Sequence, residues 1–140
     1  MIEIINRQRR HKVQAKRWRE FAVGALKEIG AGHRDATIVF VSDAAIRKLN
    51  RQFRGKHSAT DVLSFPSQPE AFEAGATDLG EIVISLDRAQ AQAKDNGLTL
   101  VNEVEQLILH GLLHLCGHDH ETDAGEMNRL ELKIRRKLRI

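Results

Sequence analysis

The chain has 140 residues, a net charge of +3 and a hydrophobic fraction of 41%. This length predicts one domain over residues 1–140, and the composition excludes a disordered chain. The only cysteine, Cys116, excludes an intrachain disulfide framework, and no apolar run is long enough to cross a membrane. The first residues, MIEIINRQRRHK, lack the apolar segment of a secretory signal. We therefore expect a cytoplasmic protein with no membrane partner.

Positive charge is concentrated at the two ends of the chain. The basic residues involved are Arg7, Arg9, Arg10, Lys12, Lys16, Arg17 and Arg19 near the start, and Lys133, Arg135, Arg136, Lys137 and Arg139 near the end. Such clusters suit a polyanion such as nucleic acid. They equally suit solvated helix faces, with cations near a helix carboxyl terminus.

The first half of the chain alternates strands with helices. MIEIIN is predicted as a strand, and apolar residues at helical spacing predict a helix over 14–29. A second strand over 36–42 leads into a helix that Ser42 is expected to cap. The segment FRGKHSAT is predicted as a polar loop, followed by a third strand over 60–66.

The second half begins with a connection over 67–78 that is rich in small and polar residues. A fourth strand is predicted over 79–85, with Ser85 as the cap of a helix over 86–95. Strands interleaved with helices in this way predict a layered α+β domain around a mixed four-stranded sheet.

Two further helices complete the predicted set of five. One begins after Thr99, runs to about Cys116, and is apolar over so much of its circumference that we expect it to be buried. The last begins near Asp123, because Glu126 follows at the spacing of a capping box.

The end of the buried helix carries an unusual run of histidines, HGLLHLCGHDH, over residues 110–120. Residues four apart lie on one helix face, so His110 and His114 project side by side and can bind one metal ion. Gly117 is suited to the left-handed conformation that ends a helix and turns the chain. A third imidazole beyond the turn leaves a vacant position on the ion, which is typical of catalytic zinc. The sequence therefore predicts a zinc site, although ligand type alone also allows nickel, copper or iron.

His118 and His120 compete to be the third ligand. His118 follows the glycine at once and has little chain with which to return, whereas His120 has three residues of reach. Cys116 still belongs to the helix and points away from the pair, so it is expected to be a small buried residue. Asp119 is either an outer carboxylate that orients an imidazole or a turn residue.

The same histidine and glycine spacing occurs in the metzincin proteases, HExxHxxGxxH. Gly111 stands where their glutamate acts as general base. The site therefore predicts metal-assisted hydrolysis of an ester or amide, but peptide hydrolysis by the usual route lacks its base.

These residues resemble the YbeY family of bacterial single-strand-specific endoribonucleases. The histidine block is similar to the family motif HGxLHLxGxDH, and two further blocks match in order: IRKLNRQFRGKHSATDVLSFP over 46–66 and LGEIVIS over 79–85. The resemblance covers about residues 40–135 and leaves the basic amino-terminal stretch unmatched.

The resemblance implies a zincin-like fold with one zinc ion bound by His110, His114 and His120. It also implies a catalytic role for Arg54, whose guanidinium would pair with the phosphate. The implied function is cleavage of single-stranded RNA in ribosomal RNA processing, including 16S rRNA 3′-end maturation, and ribosome quality control. The implied partners are ribosomal RNA, the small ribosomal subunit and assembly factors. The nucleophile is either water activated by zinc or the 2′-hydroxyl of the RNA.

Two other functions remain open at this point. One is a zincin-type metalloprotease, which Gly111 disfavours, and the other is a non-catalytic ribosome-assembly factor that zinc stabilises. The chain has few aromatic residues and no platform like that of an RRM domain. Any RNA binding is therefore expected to depend mainly on phosphate contacts and on salt concentration.

Overall fold

A computed structural model describes residues 1–55, 60–67, 77–119 and 122–140 of the chain. Within these ranges the chain forms four strands and five helices. The strands are β1 (Ile2–Asn6), β2 (Asp35–Val41), β3 (Val62–Pro66) and β4 (Asp78–Ser85). The helices are α1 (Ala15–Ile29), α2 (Asp43–Arg54), α3 (Leu86–Asp95), α4 (Leu100–Leu115) and α5 (Glu126–Leu138). The predicted α+β class is confirmed.

The strands form one mixed sheet in the order β1-β2-β4-β3. β1 and β2 pair in parallel, as do β2 and β4, whereas β3 pairs antiparallel to β4 and lies at the edge. An edge strand keeps one row of backbone groups outside the ladder. β3 therefore has a side from which other groups can approach the sheet.

Side chains alternate between the two faces of the sheet, and each face has its own apolar cluster. The larger cluster contains Ile38, Ile82 and Ile84 from the sheet together with buried residues of α1 and α4. The smaller cluster joins Val39 and Val83 to α2. α4 packs against both helices and strands on the first face, so its burial agrees with the sequence prediction.

Three predicted helix caps are present. The hydroxyl groups of Ser42, Ser85 and Thr99 each accept a hydrogen bond from the backbone N–H three residues later, at 3.1–3.2 Å. These bonds satisfy donors that a helix start otherwise leaves unpaired. The short polar side chains thus set the first residues of α2, α3 and α4.

Two predicted boundaries were wrong. The FRGKHSAT loop begins later than predicted, because α2 continues through Arg54 and ends where Gly55 takes a left-handed conformation with φ of 66°. α5 begins at Glu126 rather than near Asp123, and Gly125 precedes it with φ of 96°. The Asp123 carboxylate still accepts hydrogen bonds from the backbone N–H groups of Gly125 and Met127, at 2.8 and 2.9 Å. Asp123 therefore caps α5 although it lies before the first helical residue.

No helix in the described part of the chain is long and apolar enough to cross a membrane. Most of the predicted connection over 67–78 lies outside the described residues, which resume at Thr77. The prediction of a single domain over residues 1–140 stays a prediction.

Candidate functional site

Two imidazole rings meet at the carboxyl-terminal end of α4. The Nε2 atoms of His110 and His114 lie 3.1 Å apart, and the ring centroids are 4.7 Å apart with the planes nearly perpendicular. Both residues are partly buried, while Leu112, Leu113 and Leu115 around them are fully within the core. The sequence prediction that the two histidines share one helix face is borne out by this geometry.

The donor set suits a metal ion. Two nitrogens at about 2.0–2.1 Å from one zinc ion are separated by about 3.4 Å in a tetrahedral arrangement. The observed separation of 3.1 Å is close to that value. Among the residues that the structure describes, no three metal-binding side chains meet. The predicted third ligand, His120, lies outside the described residues, so the three-histidine site remains a prediction.

The turn after α4 follows the predicted path. Gly117 has a φ of 97°, in the left-handed region that favours glycine. Its N–H donates to the carbonyl of His114 at 3.0 Å, and the N–H of His118 donates to the carbonyl of Leu113 at 3.1 Å. This pair of bonds is a Schellman motif, which satisfies the last helical carbonyls. The chain is thereby turned away from the helix axis immediately after the two imidazoles.

A buried carboxylate contacts one of the imidazoles. Oε1 of Glu131, on α5, lies 2.8 Å from Nδ1 of His110, and Glu131 is only 7% exposed. Burial by itself raises the pKa of Glu131, but the hydrogen bond with His110 and the nearby positive charges outweigh it, so the pKa lies below its ordinary value. An ionised carboxylate can only accept, so the contact has the geometry of a hydrogen bond donated by an Nδ1–H group of His110.

Glu131 was not identified from the sequence. It lies on the packed face of α5, in the same stripe as the apolar residues Met127, Leu130, Ile134 and Leu138. Glu131 lies four residues after Met127 and three before Ile134, so helical spacing places it on the buried face. An acidic residue on that face was the signal that the sequence offered. Which helix it contacts depends on tertiary packing, and no periodicity in α5 gives that information.

Close packing explains the glycine between the two histidines. A Cβ atom on Gly111 would lie 2.9 Å from Cδ1 and 3.0 Å from Cγ2 of Ile82, on β4. Gly111 and Ile82 are both buried. A glutamate at this position would collide with the sheet instead of reaching a substrate. The structure thus gives a steric reason why the metzincin general base is missing.

A cavity of about 700 Å³ opens beside the two imidazoles. Arg54, the last residue of α2, lines it together with His110 and His114. β3 forms one wall of the cavity, and Ser64 of this strand and Thr60 just before it both line the cavity. The residue that the resemblance assigned to catalysis therefore lines the same cavity as the histidine pair, and its role remains a prediction.

The other residues weighed near the metal site divide between the cavity and the core. His118 and Asp119 line the cavity. Cys116 is partly buried and packs against the main apolar cluster, as expected of a small core residue. Burial raises the pKa of the Cys116 thiol, which makes it a weaker candidate for a ligand.

Two phenylalanines form an aromatic rim that the sequence analysis did not foresee. Phe53 and Phe65 both line the cavity, in an edge-to-face contact with centroids 5.4 Å apart. Phe53 is 59% exposed, which is unusual for so large an apolar side chain. The two residues come from α2 and β3, so their proximity depends on the tertiary fold.

Comparisons with known proteins identify relatives of this chain. The sequence profile of the family described as Endoribonuclease YbeY matches residues 3–139. A protein named Endoribonuclease YbeY from Solibacter usitatus is 49% identical over 84% of this chain and 75% of its own length. Proteins of the same name from Nautilia profundicola and Thermus thermophilus are 43% and 37% identical, over 86% and 88% of both chains in each case.

A solved structure has a similar fold. The solution structure of TM1509 from Thermotoga maritima superposes with a TM-score of 0.66 at 29% identity, covering 99% of this chain and 92% of the other. The fold is thus shared over nearly the whole length, and the sequence similarity extends across the helices and strands that form the cavity. The chain belongs to the YbeY family of endoribonucleases.

Proposed function

We propose that this protein is a zinc-dependent endoribonuclease that cuts single-stranded RNA in ribosomal RNA processing. The work we assign to it is 16S rRNA 3′-end maturation and ribosome quality control in the cytoplasm. Its partners there are the small ribosomal subunit and assembly factors. The observation that carries the proposal is one cavity lined by two imidazoles with Nε2 atoms 3.1 Å apart and by Arg54. The family name favours RNA cleavage over the metalloprotease alternative.

Three histidines would hold one zinc ion: His110, His114 and His120. The Nε2 separation in the described pair supports this assignment, as does the carboxylate behind His110. When bound, zinc supplies Lewis-acid chemistry, which polarises a phosphoryl oxygen and lowers the pKa of water.

Arg54 would bind the phosphate at the cleavage point. A guanidinium is planar, permanently charged and able to donate two parallel hydrogen bonds to phosphate oxygens. Its location on the last turn of α2 gives it a fixed backbone at the edge of the cavity. We assign it the stabilisation of the negative charge that develops on the phosphate in the transition state.

Proton transfer needs a group other than the residue after His110, because Gly111 has no side chain. His118 and Asp119 line the cavity, and either side chain would be able to exchange a proton there. The RNA also brings its own nucleophile. Attack by the 2′-hydroxyl leaves a 2′,3′-cyclic phosphate, whereas attack by water leaves none, so the product ends distinguish the two routes.

The aromatic rim accounts for a preference for single strands. Phe53 is well exposed beside Arg54, so a base unstacked from its neighbours can lie against the ring while the phosphate meets the guanidinium. Stacking of this kind is worth about 1–3 kcal/mol per base and tolerates any sequence. Bases in a duplex are paired and stacked, and so cannot reach the ring.

The test uses a single-stranded ribosomal RNA fragment and the same sequence as a duplex. The zinc-loaded protein is compared with Arg54→Ala, Arg54→Lys and Arg51→Ala. Arg51 is the matched control, because it is also an exposed cation in the last turn of α2. We expect wild type and Arg51→Ala to cut the single strand, and Arg54→Ala to be slower by about 10²–10³-fold, as for loss of one transition-state donor. Arg54→Lys keeps the positive charge but loses the two parallel donors of the guanidinium, so its cleavage rate should lie between those of wild type and Arg54→Ala.

Equal rates for Arg54→Ala and Arg51→Ala would remove Arg54 from the mechanism. A zinc-loaded wild type that never cuts RNA would overturn the enzymatic proposal. It would favour the non-catalytic assembly factor if His114→Ala then lowered the melting temperature and ribosome association. Cleavage of peptides but not of RNA would favour the metalloprotease.

A further inference from the structure

α5 has a carboxylate where its packing calls for an apolar side chain. Met127, Glu131 and Ile134 form the buried face of this helix, and Glu131 is only 7% exposed. Removing a carboxylate from water is unfavourable unless hydrogen bonds and opposite charge compensate for the lost hydration. A glutamate at this position therefore destabilises the fold unless another group compensates for its charge.

That group is His110, on a different helix and 21 residues earlier in the chain. The distance of 2.8 Å between Oε1 and Nδ1 is typical of a charge-assisted hydrogen bond. Arg135, one turn later on α5, brings Nη2 to 3.8 Å from the same oxygen, which adds positive charge without a close bond. Of these two contacts, only the one with His110 has hydrogen-bond geometry.

We propose that Glu131 is a positioning residue, which fixes the proton of His110 on Nδ1 and so keeps Nε2, the nitrogen that faces His114, as the atom that would bind the metal ion. The inference rests on the proposed metal site and adds a residue to it. A neutral imidazole has one N–H group, on either Nδ1 or Nε2. A hydrogen-bond acceptor next to one nitrogen favours the tautomer that has its proton on that nitrogen. If the proton moved to Nε2, it would lie between the two rings, at the place where the ion is expected.

The bond also fixes the orientation of the ring. The side chain of His110 is 31% exposed, so packing alone does not hold it. A carboxylate on a second helix restrains its rotation about the Cβ–Cγ bond and makes the opposite nitrogen more basic. The contact thereby couples the position of α5 to the geometry at the end of α4.

The first measurement is the tautomer of His110 in the metal-free protein, read from long-range ¹H–¹⁵N correlations. We expect a proton on Nδ1 in wild type and on Nε2 in Glu131→Ala, because free imidazole side chains favour Nε2–H in water. Glu131→Gln keeps an acceptor oxygen of the same reach and should retain the wild-type tautomer. The control is Glu103→Gln, which removes the charge of a similarly buried carboxylate on α4.

The second measurement is zinc affinity, by competition with a chromogenic chelator. We expect Glu131→Ala to bind zinc about 10–100-fold more weakly, Glu131→Gln to lose less, and Glu103→Gln to match wild type. The proposal is overturned if wild type carries the His110 proton on Nε2, or if Glu131→Ala changes neither tautomer nor affinity. If Glu131→Ala does not fold, the tautomer of wild type and the zinc affinity of Glu131→Gln relative to Glu103→Gln decide. Neither readout uses RNA, so a protein that fails to cut RNA can still satisfy or refute this inference.

Discussion

Two histidine–carboxylate pairs in the described part of the chain can be compared, one beside the cavity and one away from it. His11 contacts Asp87 through Nε2 at 3.0 Å, and His110 contacts Glu131 through Nδ1 at 2.8 Å. Both pairs are largely shielded from water, and both join distant parts of the chain. The two pairs differ in what lies next to them. Nε2 of His110 faces another imidazole, whereas the neighbour of the His11 pair is the exposed cation of Arg10.

This contrast teaches that a histidine bonded to a carboxylate is not by itself a sign of chemistry. The His11 pair ties the segment after β1 to the first turn of α3, where the charge of Asp87 also suits the helix dipole. The His110 pair orients a nitrogen toward a second donor and an open cavity. Each prediction below therefore compares a change at the cavity with a matched change outside it.

The largest expected effect is on zinc affinity, in a comparison of a cavity histidine, His114, with His11 outside the cavity. His114→Ala removes one of the paired donors, so we expect its zinc affinity to fall by more than the roughly 10–100-fold typical of losing an outer partner. His11→Ala should bind zinc like wild type. Elemental analysis and chelator competition give the answer. A His114→Ala protein that retains one zinc per chain would place the metal elsewhere.

The next effect concerns the exposed aromatic rim. Phe53→Ala removes a stacking surface, so we expect RNA binding to weaken by about 1–3 kcal/mol, which is roughly 5–150-fold in KM or Kd. Leu132→Ala trims another exposed apolar side chain, on α5, and should leave RNA binding unchanged. Fluorescence anisotropy with a labelled single strand measures both variants. Equal affinities for the two would show that Phe53 does not contact a base.

A smaller effect distinguishes two helical glycines. Gly24→Ala has open space around the new methyl group and should stabilise the protein by about 0.5–1 kcal/mol. Gly111→Ala gains the same helix propensity, but it drives Cβ into Ile82, so overpacking of about 1–3 kcal/mol should leave a net loss. Urea denaturation of both variants tests the difference. If both were stabilised, the contact between α4 and β4 would be looser than described.

The smallest effect is a pH dependence at the His11 pair. The hydrogen bond with His11 is the main cause that lowers the pKa of Asp87, with a further contribution from Arg10. Because the folded pKa lies below the unfolded one, Asp87 contributes stability above the unfolded pKa, and this contribution is lost as pH falls through the folded value. The expected contribution is below about 1 kcal/mol, because the pair is partly solvated.

The measurement is the stability difference between wild type and Asp87→Asn at pH 7 and at pH 3. We expect wild type to be more stable at pH 7 and most of that advantage to be gone at pH 3. An advantage that is unchanged at pH 3 would assign the role of Asp87 to shape rather than charge.

The sequence predicted those parts of the site that depend on local geometry. The shared face of His110 and His114 follows from helical spacing, and the turn at Gly117 follows from its tolerance of positive φ. Arg54 was assigned by family resemblance, since its position in the chain has no periodic relation to the histidines. The strands and the caps of three helices were predicted for the same local reasons.

The remaining parts depend on contacts between distant segments. Glu131 was missed because its partner lies on another helix, and the rim of Phe53 and Phe65 was missed because α2 and β3 meet only in the folded chain. The predicted start of α5 was wrong because Asp123 lies before the helix and accepts hydrogen bonds from the N–H groups of Gly125 and Met127. Hydrophobic periodicity contains no information on any of these pairings.

The close approach of Gly111 to Ile82 has a consequence for heat inactivation. Since the residue between the two imidazoles touches the middle of the sheet, the histidine pair cannot shift without disturbing the core. The arrangement of the two imidazoles should therefore survive warming until the whole molecule melts, and a metal ion bound at the proposed site should be lost together with global unfolding instead of before it.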